Sequence, residues 1–410
     1  MEETQNKKRG LPVWAAICIS VLSVAVIVLG ALWAIEYFSN LPAKQPQEPT
    51  FKSYTGTTET LISNREQVIA TVGNHQLTNA RLQIYYWMSV YQFIQENSYY
   101  LSMLGFDYTK DLATQACYFD KEISWQEHFI DQALAAWYQY TVLNIAATEA
   151  EFKLPAEEQT YLDGLRTTME EQAKKYGYKD GQEMLEKEMG AGATFDEYIK
   201  YTGETFVGMG YFDQFAADIK ITDDDLNKYY EDNKATFDEN KITKDESIFA
   251  WATVRHILIE PVTKDADGNT IDTETAWATA LSKAEKLLND YKKGGKINEE
   301  AFAALVKDNT ADGGSKENGG LYEKFFKGKM VKEFEEWSFA ADRKYGDTGI
   351  VKTQFGYHIM FFVDHEVEWR YCAESGMKTE ICDKLLSDLK EEYPIDADYE
   401  KILIGYVSLG

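Results

Sequence analysis

The chain has 410 residues, 44% of them hydrophobic and 14% aromatic, which is enough to pack two or more domains and too apolar for a disordered chain. With 42 basic against 68 acidic residues its net charge is −26, a balance that repels a phosphate backbone and excludes nucleic acid as a partner. Its 4 cysteines lack C-x-x-C or histidine-flanked spacing, which excludes a disulfide scaffold and a zinc site, so no metal and no cofactor is expected.

Lys7, Lys8 and Arg9 precede an uncharged run from Leu11 to Ile35, and Glu36 follows it. At ~1.5 Å rise per residue such a run spans a ~30 Å hydrocarbon core. Residues 11–35 therefore read as a transmembrane helix, with residues 1–10 as a cytoplasmic tail and the rest of the chain outside. A cleaved signal peptide would have an apolar region of about 7–15 residues and a small-residue cleavage site, and this stretch has neither. Residues 36–65 carry Pro42, Pro46 and Pro49 among Thr, Ser, Lys, Gln and Glu, and read as a flexible tether.

Residues 66–247 read as a mostly helical domain. Q-V-I-A-T-V-G-N-H-Q-L-T is a short strand, a turn at Gly73-Asn74 and a Thr78 cap, after which Leu82, Tyr85, Ser89 and Phe93 recur at helical spacing. Amphipathic runs follow at Trp125–Ala147, Ala156–Tyr176 and Phe195–Ile219, and Thr222 caps a helix with three aspartates in its first turn. The Tyr, Trp, Met and Phe of this region suit either a core or a groove for unfolded segments.

Residues 248–366 read as a second domain. Alternation over Phe249–Ile259 places Ala252, Val254, His256 and Leu258 on one face of a strand. A polar excursion follows from Pro261 to Thr275. Then come a helix bearing Trp277, Leu281, Ala284 and Leu288, and a second capped by Asn298. A glycine loop leads to a short helix over Met330–Ala340, where Met330 and Phe334 are four apart, and two strands close the domain around Gln354-Phe355-Gly356. Residues 367–410 are too few for a domain and are expected to return to the helical region. Cys372 and Cys382 are the one nearby cysteine pair, either bridged or two thiols, while Cys117 is left over.

V-R-H-I-L-I around His256, T-A-D-G-G-S from Thr310, M-V-K-E-F-E from Met330 and T-Q-F-G-Y-H from Thr353 occur in the order of the parvulin-type peptidyl-prolyl isomerases, which the segment resembles. With its flanks, Q-V-I-A-T-V-G-N-H-Q-L-T and I-T-D-D-D-L-N-K-Y-Y, the chain resembles the PrsA-type extracellular foldases, with SurA more distant. The resemblance implies an α+β protein, a helical chaperone domain carrying an inserted parvulin-like domain whose small antiparallel sheet is flanked by helices. It implies His256, Asp312, Thr353 and His358 as the catalytic cluster, with Leu321, Met330, Phe334 and Phe355 on the substrate side. Tyr322 stands where a glycine is usual, and the loop holding Glu260, Asp265, Asp267 and Asp272 lacks the basic cluster that reads phosphate.

An inward histidine on a strand is ordinarily a satisfied core residue, and Met330 with Phe334 is ordinarily core packing; their joint order carries the resemblance. The implied function is membrane-anchored isomerisation of X-Pro bonds in unfolded, newly secreted polypeptides, with which a homodimer is compatible. A holdase with a non-catalytic parvulin domain is the alternative.

Overall fold

The computed structural model describes residues 51–407 apart from Lys296. The cytoplasmic tail, the transmembrane helix and the first half of the tether expected from the sequence lie outside those residues. Among the described residues no helix is long and apolar enough to cross a membrane. The chain divides into two compact units, one up to Ile219 and again from Ile381, the other from Lys220 to Glu380.

The first unit begins earlier than its composition suggests. Residues 51–65, read as tether, are folded: Tyr54 is buried, Thr55 bridges Ile404, and helix α1 (Thr58–Ser63) buries Leu61. The partners that hold this stretch are far away in sequence, so no local periodicity announces it. Strands β1 (Val68–Val72) and β2 (His75–Thr78) form an antiparallel hairpin, and helix α2 (Asn79–Glu96) starts where the Thr78 hydroxyl accepts the Arg81 amide. Helix α3 (Trp125–Glu149) opens with a capping box of Ser124 and Glu127. Helices α4 (Ala156–Lys175), α5 (Gly181–Met189) and α6 (Phe195–Asp218) complete the helical layer.

The aromatic stripe is mostly core. Tyr85, Tyr86, Tyr91, Trp125, Phe129 and Trp137 are all buried. Arg81 of α2 bonds both Glu197 and Glu204 of α6 and clamps the two helices.

In the second unit, helices α7 (Asp223–Asp232) and α8 (Lys234–Glu239) form a small core with Trp369, from Leu226, Tyr230 and Phe237. Strand β3 (Phe249–Ile259) leads to helices α9 (Thr273–Lys293) and α10 (Glu299–Asn309). Then follow β4 (Leu321–Phe326), helix α11 (Lys332–Ser338), β5 (Thr348–Thr353) and β6 (Gly356–Val367). The four strands make one antiparallel sheet ordered β4-β3-β6-β5.

The period of two in β3 divides this unit into two cores. Ile257 and Ile259 face α9 and α10, with Phe302 and Val306. Ala252 and Val254 face α11, with Phe334, Val351 and Met360. Helix α12 (Glu368–Glu392) starts in this unit, and β7 (Ile395–Ala397) pairs with β1 in the first. Cys372 and Cys382 both lie on α12, where ten residues of helix separate them by about 15 Å, so they do not bridge.

Candidate active site

Four neighbouring elements supply the polar residues of the site. His256 lies on β3 and His358 on β6, adjacent strands on the α11 side of the sheet, while Thr353 ends β5 and Asp312 sits in the loop after α10. Thr310 holds that loop to β3: its hydroxyl accepts the amides of Leu258 and Asp312, and the Ala311 amide bonds the Leu258 carbonyl. Gly320 allows β4 to run close to His256. Its φ is +74°, its carbonyl accepts the His256 amide, and a Cβ there would lie 2.3 Å from the His256 carbonyl oxygen.

The side chains form one continuous line of hydrogen bonds. His256 Nε2 is 2.9 Å from Asp312 Oδ2, His256 Nδ1 is 3.0 Å from His358 Nδ1, and His358 Nε2 is 2.9 Å from Thr353 Oγ1. The Phe355 amide donates to Thr353 Oγ1 at 3.1 Å. Burial pushes the Asp312 carboxyl up, but hydrogen bonds from Ser315, His256 and the Gly314 amide outweigh it and hold the pKa at about 2.

A charged Asp312 has no proton to give, so His256 Nε2–H donates to it. Neutral His256 then accepts at Nδ1 from His358 Nδ1–H, and His358 Nε2 accepts the Thr353 hydroxyl. Each proton has one place. Burial lowers the pKa of His256 against the pull of Asp312, and burial with the neighbouring His256 lowers that of His358 to about 4. The His256–Asp312 contact is thus a hydrogen bond to a carboxylate from a neutral ring.

Two further residues join the cluster. Ser315, 1% exposed, donates its hydroxyl to Asp312 Oδ2 and lies 3.1 Å from His256 Nε2. The Tyr322 hydroxyl donates to the same oxygen at 3.1 Å, and its ring stacks on His256 with centroids 5.0 Å apart. Burial and the Asp312 charge push the Tyr322 phenol up to about 12. Sequence reasoning missed Ser315, whose one signal is a small hydroxyl three residues after Asp312 in a glycine loop.

The apolar residues are placed less uniformly. Met330, Tyr322 and Phe334 belong to one cluster, and the Phe334 ring meets both histidines edge-on, at 5.4 Å and 5.3 Å. Met330 precedes α11 rather than lying on it. Phe334 is only 3% exposed, so Tyr322 and Met330 present the accessible part of this wall.

Leu321 is not part of it. It pairs with Arg255, whose guanidinium bonds Glu299 of α10, so strand alternation turns Leu321 toward the helical side and Tyr322, opposite Val254, toward the histidines. Phe355 is exposed at the turn between β5 and β6. Among the described residues no group of three or more His, Cys, Asp or Glu could hold a metal ion.

Residues 237–366 match the family model described as the PPIC-type PPIASE domain. The chain is 34% identical over 148 residues to the foldase protein PrsA of Caldanaerobacter subterraneus, a stretch covering 36% of this chain and 36% of that one. It is 32% identical over 187 residues to foldase protein PrsA 3 of Bacillus cereus, covering 42% of this chain and 62% of the relative. The chain thus spans about a third of the length of the first of these relatives and less than two thirds of the other. The crystal structure of PrsA from Bacillus subtilis aligns over 66% of this chain and 88% of its own, with a TM-score of 0.30 and 20% identity. The family match covers the second unit's sheet and its helices α9, α10 and α11, and the two foldase relatives are similar to this chain over less than half of its length.

Proposed function

We propose that this chain is a PrsA-type, membrane-anchored extracytoplasmic foldase in which residues 66–247 and 367–410 hold unfolded exported polypeptides and residues 248–366 isomerise their X-Pro bonds. The observation that carries the proposal is the unbroken line Asp312, His256, His358, Thr353 beside the apolar wall of Tyr322, Met330 and Phe334. Prolyl isomerisation breaks no bond; it twists an amide over a barrier of ~20 kcal/mol. A slot that seats the pyrrolidine ring and dries the amide disfavours its planar, charge-separated form. Holding the twisted amide ~4 kcal/mol better than the planar one gives roughly a thousandfold in rate. In this reading Asp312 supplies negative charge beside the substrate carbonyl, which opposes double-bond character, and the histidines position Asp312.

A protease-coupled assay on a proline peptide tests the enzyme reading, with a drop of about tenfold or more expected in Asp312→Ala and Met330→Ala. Wild-type turnover at the uncatalysed rate would overturn it.

A second reading, a non-catalytic holdase, draws on Tyr322, which covers Phe334 and occupies the Asp312 carboxylate. It expects aggregation of a proline-free client to be suppressed with no isomerase activity, and turnover to appear in Tyr322→Gly once the slot is open. Under the first reading Tyr322→Gly changes KM more than kcat.

A further inference from the structure

The four most exposed large apolar side chains of the first unit, Tyr99, Met103, Phe119 and Tyr100, all lie in the connection between α2 and α3. Tyr99 is 92% exposed, Met103 74%, Phe119 61%, Tyr100 58% and Tyr118 50%. The two turns that carry them are rooted in one aromatic hub. Phe106 lies 5.2 Å from Phe93 and 5.0 Å from Trp125, and Phe119 lies 6.4 Å and 5.8 Å from the same two rings. Phe93 is in the last turn of α2 and Trp125 is the first residue of α3, so both turns cap the same end of this helix pair.

The N-terminal segment reaches the folded unit at that end. The Tyr54 amide donates to Gln126 Oε1 at 2.8 Å, and Gln126 Nε2 donates to Thr55 Oγ1 at 3.0 Å; Gln126 is the neighbour of Trp125. Thr55 also lines one small cavity together with Tyr108 of the same connection. The chain therefore enters the folded unit at the end that carries the exposed rings.

From this coincidence we infer that Tyr99, Tyr100, Met103, Tyr118 and Phe119 rest on the headgroup interface of the bilayer that residues 11–35 span, an inference that depends on reading that run as the anchor. The chemistry suits an interface rather than a hydrocarbon core. Three of the five are tyrosines, whose rings bury while their hydroxyls stay wet. The connection holds Asp107, Asp111, Asp120 and Glu122 against Lys110 and Lys121, so zwitterionic headgroups are the fitting partner and anionic lipid gives no gain. A bound unfolded polypeptide is the competing occupant, but nothing would require its site to lie where the anchor segment joins.

The test uses the full chain in phosphatidylcholine nanodiscs containing a lipid with a photoactivatable group at glycerol depth, with labelled peptides mapped by mass spectrometry. Label is expected in residues 11–35 and in 97–121. In a variant carrying Tyr99→Ser, Tyr100→Ser and Met103→Ser the second signal should fall by at least about fivefold while the first is unchanged. Label in 11–35 alone overturns the inference and leaves the anchor and the isomerase reading intact, whereas label in neither overturns the anchor as well. Cross-links from 97–121 to an added unfolded client, without lipid label, would assign the surface to clients instead.

Discussion

Once Asp312 is charged, two neutral histidines joined through their Nδ1 atoms have a single arrangement of protons, and acid disturbs it in two stages. The His358 pKa falls from 6.5 to about 4 on folding, so the unfolded chain binds the extra proton between those values and stability is lost as the pH drops from about 6.5 to 4. Asp312, held at about 2 against 3.8, adds a further loss from about pH 4 to 2. Histidine side-chain nitrogen shifts should therefore show both rings neutral at pH 7, His358 as the Nδ1–H tautomer and His256 as the Nε2–H tautomer. A protonated pair at that pH would contradict the assignment. Tyr322→Phe keeps the ring on His256 but removes one donor from Asp312 Oδ2, so the carboxyl pKa should rise in a carbon-detected titration; an unmoved value would mean that the hydroxyl is a bystander.

At this scale the polar cluster was legible. His256, Asp312, Thr353 and His358 were picked by order and residue type, and all four lie in one hydrogen-bonded line. Leu321 was misassigned because a shift of one residue reverses the face of a strand, and the site lies on the face where Tyr322 points.

Helix and strand boundaries follow local chemistry. Thr78, Ser124, Thr194, Thr222 and Asn298 each cap the helix after them with a side-chain oxygen. Strand β4 escaped sequence reading because Leu321–Phe326 has no clean alternation, interrupted as it is by Lys324 at φ +45° and a register shift opposite β3. Its approach to β3 depends on Gly320. Gly320→Ala puts a Cβ against the His256 backbone in a left-handed conformation, and should cost about 3 kcal/mol or more in a denaturant titration of the second unit. A loss under about 0.5 kcal/mol would show that β4 can move aside. In the first unit Arg81→Met leaves Glu204 without its ion-pair partner and Glu197 with Lys200 alone at the α2–α6 contact, and should cost about 3 kcal/mol, with Glu204 then titrating higher still.

On the scale of the whole chain, the last residues belong to the first unit although the second unit precedes them. Gln83 bonds both the amide and the carbonyl of Gly405, Trp87 Nε1 bonds that carbonyl, and Asn79 bonds Leu403 and Lys401. A chain ending at Glu380 leaves these buried groups unpaired and strips β7 from β1. Amide exchange in α2 should then accelerate by at least about a hundredfold while β3 and β6 stay protected. Unchanged exchange in α2 would show that the segment is an accessory.

Sequence by itself determined the anchor candidate, the capped helix starts and the candidate polar cluster, because charge, capping and motif order are properties of short stretches. Tertiary structure alone decided that Tyr322 rather than Leu321 walls the site, that Ser315 completes it, that residues 51–65 are folded, and that the buried aromatics part company with the exposed ones of the α2–α3 connection. Each of these depends on which side of a strand or helix meets a partner far along the chain, and that is settled by register and burial rather than by composition.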